Sequence, residues 1–297
     1  DIVLRDGVEL NEVNIVTRKL GTMKLRSSVM NEDMISSAEL SRAACCNLGE
    51  SFVTNPSVDV SYSDAATGAK QIKLLGLSGT YVQMLTENIP NYRGAAAPYG
   101  LGYVPGPWMQ SIQVSKGTSS VKNGYEAITG QINVEFKKPQ LPEADWVSAN
   151  LFASTTNRYE ANADATLKLS KRWSTSLLAH YENETKAHDG NDDGFVDIPQ
   201  VEQYNVWNRW AYMGDHYVFQ AGIKALSETR TSGQANHGGT MHSGDLYKVG
   251  IDTERYEFFT KNAYIFNKEK NTNLALILST TLHNQDATYG RKLYNVC

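Results

Sequence analysis

The feature that most constrains this chain is the strict alternation of Glu160-Ala-Asn-Ala-Asp-Ala-Thr-Leu-Lys-Leu-Ser170. Ala161, Ala163, Ala165, Leu167 and Leu169 point one way, and Glu160, Asn162, Asp164, Thr166 and Lys168 point the other, because side chains alternate across a strand. Six further strand-like runs follow the same habit: Trp146–Thr155, Arg172–Glu184, Val201–Met213, His216–Glu228, Val249–Phe266 and Asn273–His283. Two architectures accept such runs: a β-sandwich with one wet face, and a membrane β-barrel with an apolar outside and a polar lumen. Run length favours the barrel. Several runs exceed the roughly five or six residues of an ordinary strand, and some reach the roughly 9–11 that a tilted membrane strand needs. Aromatic residues near the run ends (Trp146, Trp173, Trp207, Trp210, Tyr212, Tyr217, Phe258, Phe259, Tyr264 and Phe266) fit interfacial girdles. Short turns at Thr156-Asn157-Arg158 and Gly214-Asp215 are expected to alternate with long polar loops at 186–200 and 229–247.

Composition narrows the classes further. The 297 residues carry a net charge of −4, without the basic excess of a nucleic-acid binder. No apolar run reaches the roughly 18 residues of a membrane helix, which excludes helical spans only. Asp1-Ile-Val-Leu-Arg5 lacks the positive start and apolar run of a secretory leader, so an exported protein would carry one ahead of this chain.

The stretch Lys70–Pro139 holds two cores of short strands. The first is Gln71–Pro90 and the second Met109–Pro139, each cut by Gly, Ser-Gly or Asn-Gly turn signals. Three motifs here resemble the plug domain of TonB-dependent outer-membrane receptors. They are the turn Thr86-Glu87-Asn88-Ile89-Pro90, the segment Met109–Gly124, and Ala127–Val134, in the family's order and spacing. Asn88 stands where the family usually has Gly and Gln113 where it usually has Glu, departures that would loosen a turn or a hydrogen bond. The resemblance covers roughly residues 10–140. It implies an α+β plug domain, a small mixed sheet with short helices, followed by antiparallel transmembrane β-barrel strands that are incomplete in this chain. The expected boundaries are an N-terminal segment 1–17, a plug 18–140, and opening barrel strands 145–297.

The resemblance also implies partners and sites. Glu12, Val13, Asn14, Ile15, Val16 and Thr17 occupy the place of the TonB box, which adds as a strand to TonB; an ordinary first plug strand is the other reading. The Gly/Pro/Tyr-rich connection 91–108 offers Tyr92, Arg93, Tyr99, Tyr103 and Trp108 to a ligand, or else seals the plug to the wall. Met34–Phe52 has apolar residues at helical spacing and reads as a helix.

Three residue sets suit metals. Cys45 and Cys46 are either two small buried residues or soft-metal ligands. His237, Met241 and His242 suit a soft metal or haem, and Met84 and Met109 would extend a copper route. Asp189, Asn191, Asp193 and Asp197 occupy positions one, three, five and nine of a calcium-loop pattern, but position twelve is Gln200, so the loop is not an EF-hand. No residues adopt a nucleophile-elbow or metalloprotease spacing. The expectation is therefore a receptor, not an enzyme, in a Gram-negative outer membrane. No cofactor is required, and loop 189–197 is open to calcium or to solvent alone. The receptor's partners are TonB, a small-molecule or metal ligand and outer-membrane lipid, with no nucleic acid. The alternative is a non-transporting surface β-protein that captures a ligand or adheres.

Overall fold

A computed structural model of the chain describes residues 23–24, 31–42, 46–53, 55–118, 126–139, 147–235, 246–267 and 272–296. The expectations at Glu12–Thr17, Cys45, Trp146, His237, Met241 and His242 lie outside these residues.

Two small sheets and one large one make up the described chain. The first contains β1 (Met23–Lys24), β2 (Asn31–Ser36), β6 (Val82–Thr86), β7 (Ile89–Pro90), β8 (Met109–Lys116) and β9 (Gly130–Phe136), in the order β1-β2-β8-β9-β6-β7. It is mixed, because β6 runs parallel to β9 while the other pairs are antiparallel. The second sheet is β3 (Val58–Asp64), β4 (Ala69–Leu74) and β5 (Leu77–Ser78). Helix α1 (Ser37–Arg42) and several single 3-10 turns complete this unit. Its centre is apolar: Ile35, Leu48, Leu74, Leu85, Ile112, Val114, Ile132 and Val134 are all buried. β8 and β9 approach so closely that a Cβ on Gly130 would lie 2.2 Å from the Ser115 carbonyl oxygen, and its φ is +156°. Only glycine fits there.

The helix expected over Met34–Phe52 is a correction. Met34–Ser36 belongs to β2, held by pairing of Ile35 with Ile112, and among the described residues of this stretch only Ser37–Arg42 is α-helical. Strand pairing with a buried partner outweighs a weak helical period. Neither departure from the plug motif loosens the structure. Glu87 and Asn88 both have positive φ, 50° and 64°, and close the β6–β7 turn. Asn tolerates that region best after Gly. Gln113 accepts a hydrogen bond from Asn133 at 3.2 Å.

The large sheet is an antiparallel meander of eight strands. They are β10 (Val147–Ala153), β11 (Arg158–Lys168), β12 (Trp173–Glu184), β13 (Gln200–Met213), β14 (Tyr217–Gly233), β15 (Lys248–Asn267), β16 (Thr272–Tyr289) and β17 (Lys292–Val296). β14, β15 and β16 run 17, 20 and 18 residues, far beyond an ordinary strand. No helix among the described residues is long and apolar enough to cross a membrane, which says nothing of strands.

The face that is buried is the polar one. Glu160, Asn162, Ser176, His180, Glu182, Gln203, Asn205, Arg209, Lys224, Glu228, Thr253 and Arg255 point inward and are buried. Leu151, Leu177, Val206, Ile223, Tyr256, Phe258, Leu276 and Leu282 point outward and are exposed. Residues from β11 through β15 all contact the plug. One small body can touch five consecutive strands only if the sheet curves around it.

Connections at the β11/β12 and β13/β14 end are short, whereas 185–199 and the described residues 234–235 and 246–247 lie at the opposite end. The expected alternation needs two corrections. The short turn at Thr156–Arg158 shares the end of the long loops, and residues 229–233 continue β14 rather than open a loop. Two expected girdle residues are also reassigned. Trp207 is buried and faces inward, and Phe259 packs beside it, their rings 6.2 Å apart. A girdle remains at the short-turn end, where Trp173 contacts Tyr212 and Phe219.

Candidate functional site

The polar inner face of the wall meets the plug at three levels. At the long-loop end, Arg158 of β11 gathers three carboxylates: Glu50 of the plug at 2.9 Å, Glu160 at 2.7 Å and Glu182 at 2.9 Å. Arg230 of β14 pairs with Glu228 at 2.5 Å and lies 5.1 Å from the Tyr99 ring centre. Lys70 sits 5.4 Å over the Tyr62 ring. Burial lowers the Lys70 pKa, and Glu50 pulls it partly back. Burial raises the Tyr99 phenol, so it stays protonated. Glu50, Lys70, Tyr99, Arg158, Glu182 and Arg230, with Glu184 and Gln203, line a cleft of about 150 Å³, and Pro199 of the long loop lies over it beside Gly68.

The middle level is a hydrogen-bonded belt. Lys224 donates to the Tyr92 hydroxyl and to the Tyr103 carbonyl, both at 3.2 Å. Asn205 donates to the same carbonyl at 3.0 Å, and Gln203 to that of Gly102 at 3.3 Å. Arg255 donates to Asn91, whose amide donates to Glu257 at 2.9 Å. Beside this belt, Trp207 wedges against Phe136, ring centres 4.6 Å apart, and against Trp108. The wedge needs Gly222, where a Cβ would come within 2.5 Å of Phe259 and 2.7 Å of Trp207.

At the short-turn end, Arg209 pairs with Glu87 at 2.5 Å and donates to the Lys137 carbonyl at 2.7 Å. Lys261 donates to the Glu87 carbonyl at 2.7 Å, and its ammonium lies 3.7 Å from the Glu87 carboxylate. Lys137 in turn pairs with Asp164 of β11 at 2.9 Å.

The residues singled out from the sequence divide among these levels. Tyr99 lines the cleft. Tyr92, Tyr103 and Trp108 are buried between plug and wall, the packing of a seal. Arg93 is half-exposed and pairs with Glu126 at 2.7 Å. Cys46 is buried, and burial together with Glu160 and Glu50 pushes its thiol up, which disfavours the thiolate a soft metal needs. Met109 is buried in the plug core. Among the described residues, no three His, Cys, Asp or Glu side chains come together as a metal-holding group. In loop 189–197 the oxygens turn on the loop's own amides. Asp189 accepts from Gly194 at 2.8 Å, Asp193 from Phe195 at 2.8 Å, Asn191 from Asp193 at 3.2 Å, and Asp197 from Gly190 at 2.6 Å.

Sequence reasoning missed the charged wall residues Arg158, Arg209, Lys224, Arg230, Arg255, Glu257 and Lys261. The signal was present: each sits on the polar phase of an alternating run, the phase that faces the lumen in a barrel.

Comparisons with known proteins agree with this geometry. Residues 24–131 match the family described as TonB-dependent Receptor Plug Domain. The vitamin B12 transporter BtuB of Vibrio vulnificus is 24% identical over 185 residues, covering 62% of this chain and 30% of its own length. The closed form of the ferric-catecholate import receptor Fiu from E. coli K12 superposes with a TM-score of 0.71 at 15% identity, over 92% of this chain and 41% of Fiu. The siderophore receptor PiuA from Acinetobacter baumannii gives 0.65 at 13% identity, over 88% and 37%. The chain thus spans less than half the length of these relatives. Residues 24–131 thus match a TonB-dependent receptor plug domain, and the chain as a whole shares the fold of the corresponding part of these solved receptors.

Proposed function

We propose that the receptor containing this chain imports a scarce nutrient across the outer membrane, driven through TonB. The observation that carries the reading is the polar, ion-paired plug–wall contact inside a sheet whose outer face is apolar. Such a contact holds a plug in a lumen yet can exchange its partners for water, as a packed apolar core cannot. Ligand arrives from the long-loop end and meets Tyr99, Lys70, Arg158 and Arg230, which line the cleft; Arg93, Tyr92, Tyr103 and Trp108 of the 91–108 connection are its further ligand contacts. Glu12–Thr17 acts as the TonB box, pairing as an added strand. Loop 189–197 takes calcium as its resident ion. The substrate classes are a ferric chelate, a corrinoid such as vitamin B12, haem or copper. The charged lining of the cleft favours the first, and the relatives named for ferric catecholate and siderophores support it.

The test is uptake by cells expressing the full-length receptor, with labelled ferric catecholate, cyanocobalamin, haem and copper as probes. One probe should accumulate in a TonB-dependent manner, and Val16→Pro, which removes a backbone donor, should abolish that accumulation while leaving binding intact. Binding of every probe without accumulation would overturn the transport reading.

A further inference from the structure

The charges lining the cleft are not equally engaged. Three cations, Lys70, Arg158 and Arg230, and three carboxylates, Glu50, Glu182 and Glu184, face it. Arg158 is fully engaged within the protein: its Nη1 meets Glu50, its Nη2 Glu160 and its Nε Glu182. Arg230 grips both oxygens of Glu228, from Nε at 2.5 Å and from Nη2 at 2.9 Å, and its Nη1 lies against Gly68. Drawing either guanidinium away to a ligand would leave buried carboxylates unpaired, which is costly.

Two lining groups differ. Lys70 is fixed near the start of β4, where its amide donates to the Pro98 carbonyl at 2.8 Å and its stem crosses Gly49. Among the described residues no carboxylate pairs with its ammonium, whose neighbour is the Tyr62 ring at 5.4 Å. Burial lowers its pKa, and an ammonium short of water gains most from an anionic partner. Glu184 ends β12 and is only 7% exposed. Its cross-strand neighbour is Arg158, whose nitrogens are turned to other carboxylates. Among the described residues no cation pairs with Glu184.

The field of the cleft points the same way. Its lining charges cancel, and Glu160 and Glu228 stand behind the two arginines. A polyanion meets no net attraction there. A ligand with charges of both signs completes one open group of each sign.

We infer that Lys70 and Glu184 read the ligand: Lys70 takes an anionic oxygen and Glu184 a protonated amine, so the cleft selects ferric chelates that carry an amine and no net negative charge. The inference rests on the ferric-chelate reading above and sharpens it. Arg158 and Arg230 shape the cleft, while Lys70 and Glu184 set its choice.

The experiment measures binding to the full-length receptor in detergent, with radioactive iron in three probes. The first is a linear ferric trihydroxamate, whose hydroxamates neutralise the iron and whose end carries a protonated amine. The second is the same chelate with the amine acetylated. The third is ferric tris-catecholate, a trianion. The parent should bind the first at least tenfold more tightly than the third. Lys70→Met should weaken both trihydroxamates at least tenfold, and Lys70→Arg should bring binding back to within threefold of the parent, which a merely structural defect would not allow. Lys70→Gln replaces Lys70→Met if the latter does not assemble. Glu184→Gln should weaken the amine form at least fivefold and the acetylated form less than twofold. Tightest binding of the trianion, or parent affinity for the amine form in either Lys70→Met or Glu184→Gln, would overturn the inference and leave the transport reading standing. A parent that binds none of the three chelates would remove the ferric-chelate reading as well, and binding of cyanocobalamin, haem or copper by that parent would keep transport of another cargo.

Discussion

The plug and the wall use the same two-residue alternation with opposite sign. In the plug, apolar side chains such as Ile112, Val114, Ile132 and Val134 turn inward and are buried. In the wall, Arg209, Lys224, Glu228 and Arg255 turn inward, while Ile223, Phe258 and Leu276 turn out. The plug packs an apolar centre of its own, whereas the wall turns its apolar side chains away from the plug, so the phase of the pattern reports what each face meets rather than the fold. The plug is consequently stabilised by burial of apolar area within itself. It is held in the wall by ion pairs and hydrogen bonds, each costly to leave half-made.

That contrast can be broken at graded cost. Arg209→Met should have the largest effect. It leaves Glu87 buried with only Lys261 at 3.7 Å, a loss of about 3–5 kcal/mol in plug docking. Guanidinium release of the plug from the barrel would measure it, and Glu87→Met combined with Arg209→Met should recover most of it. No recovery would mean that the pair is not the cause. Ile223→Arg comes next. It places a charge on the lipid face and should cost about 2–4 kcal/mol of barrel stability in lipid, whereas the adjacent inward Lys224 is tolerated because it has the Tyr92 hydroxyl and the Tyr103 carbonyl. If Ile223→Arg were silent, the outward face would not meet lipid.

Gly222→Ala should cost about 1–3 kcal/mol by overpacking, since Phe259 and Trp207 must shift, and Trp fluorescence should report the moved indole. The smallest effect concerns Cys46. Its pKa is raised in the folded plug, so the thiol's contribution is complete below the unfolded value near 8.5. That contribution is lost progressively as pH rises past it. Plug stability should fall by about 1 kcal/mol between pH 8 and 9.5, and Cys46→Ala should flatten the slope.

Some of this was legible along the chain and some was not. The starts of seven wall strands were read to within two residues because each run is long and bounded by turns, but β16 was cut short at His283 and runs to Tyr289, and β17 was not read. β14 was cut short at Glu228 because Arg230 and Ser232 look like loop residues, yet they continue the inward polar phase to Gly233. The 91–108 connection was seen, and Tyr99 does line the cleft. The wall half of that cleft was not seen, because Arg158, Glu182 and Arg230 lie on three different strands.

The amino-acid sequence alone determined the period, length and order of the strands and the plug motifs, since backbone geometry and turn chemistry are local. Tertiary structure alone decided which plug residue meets which wall residue. Glu87 and Arg209 are separated by 122 positions, and only the curving of the sheet around the plug brings their charges together, buried from solvent.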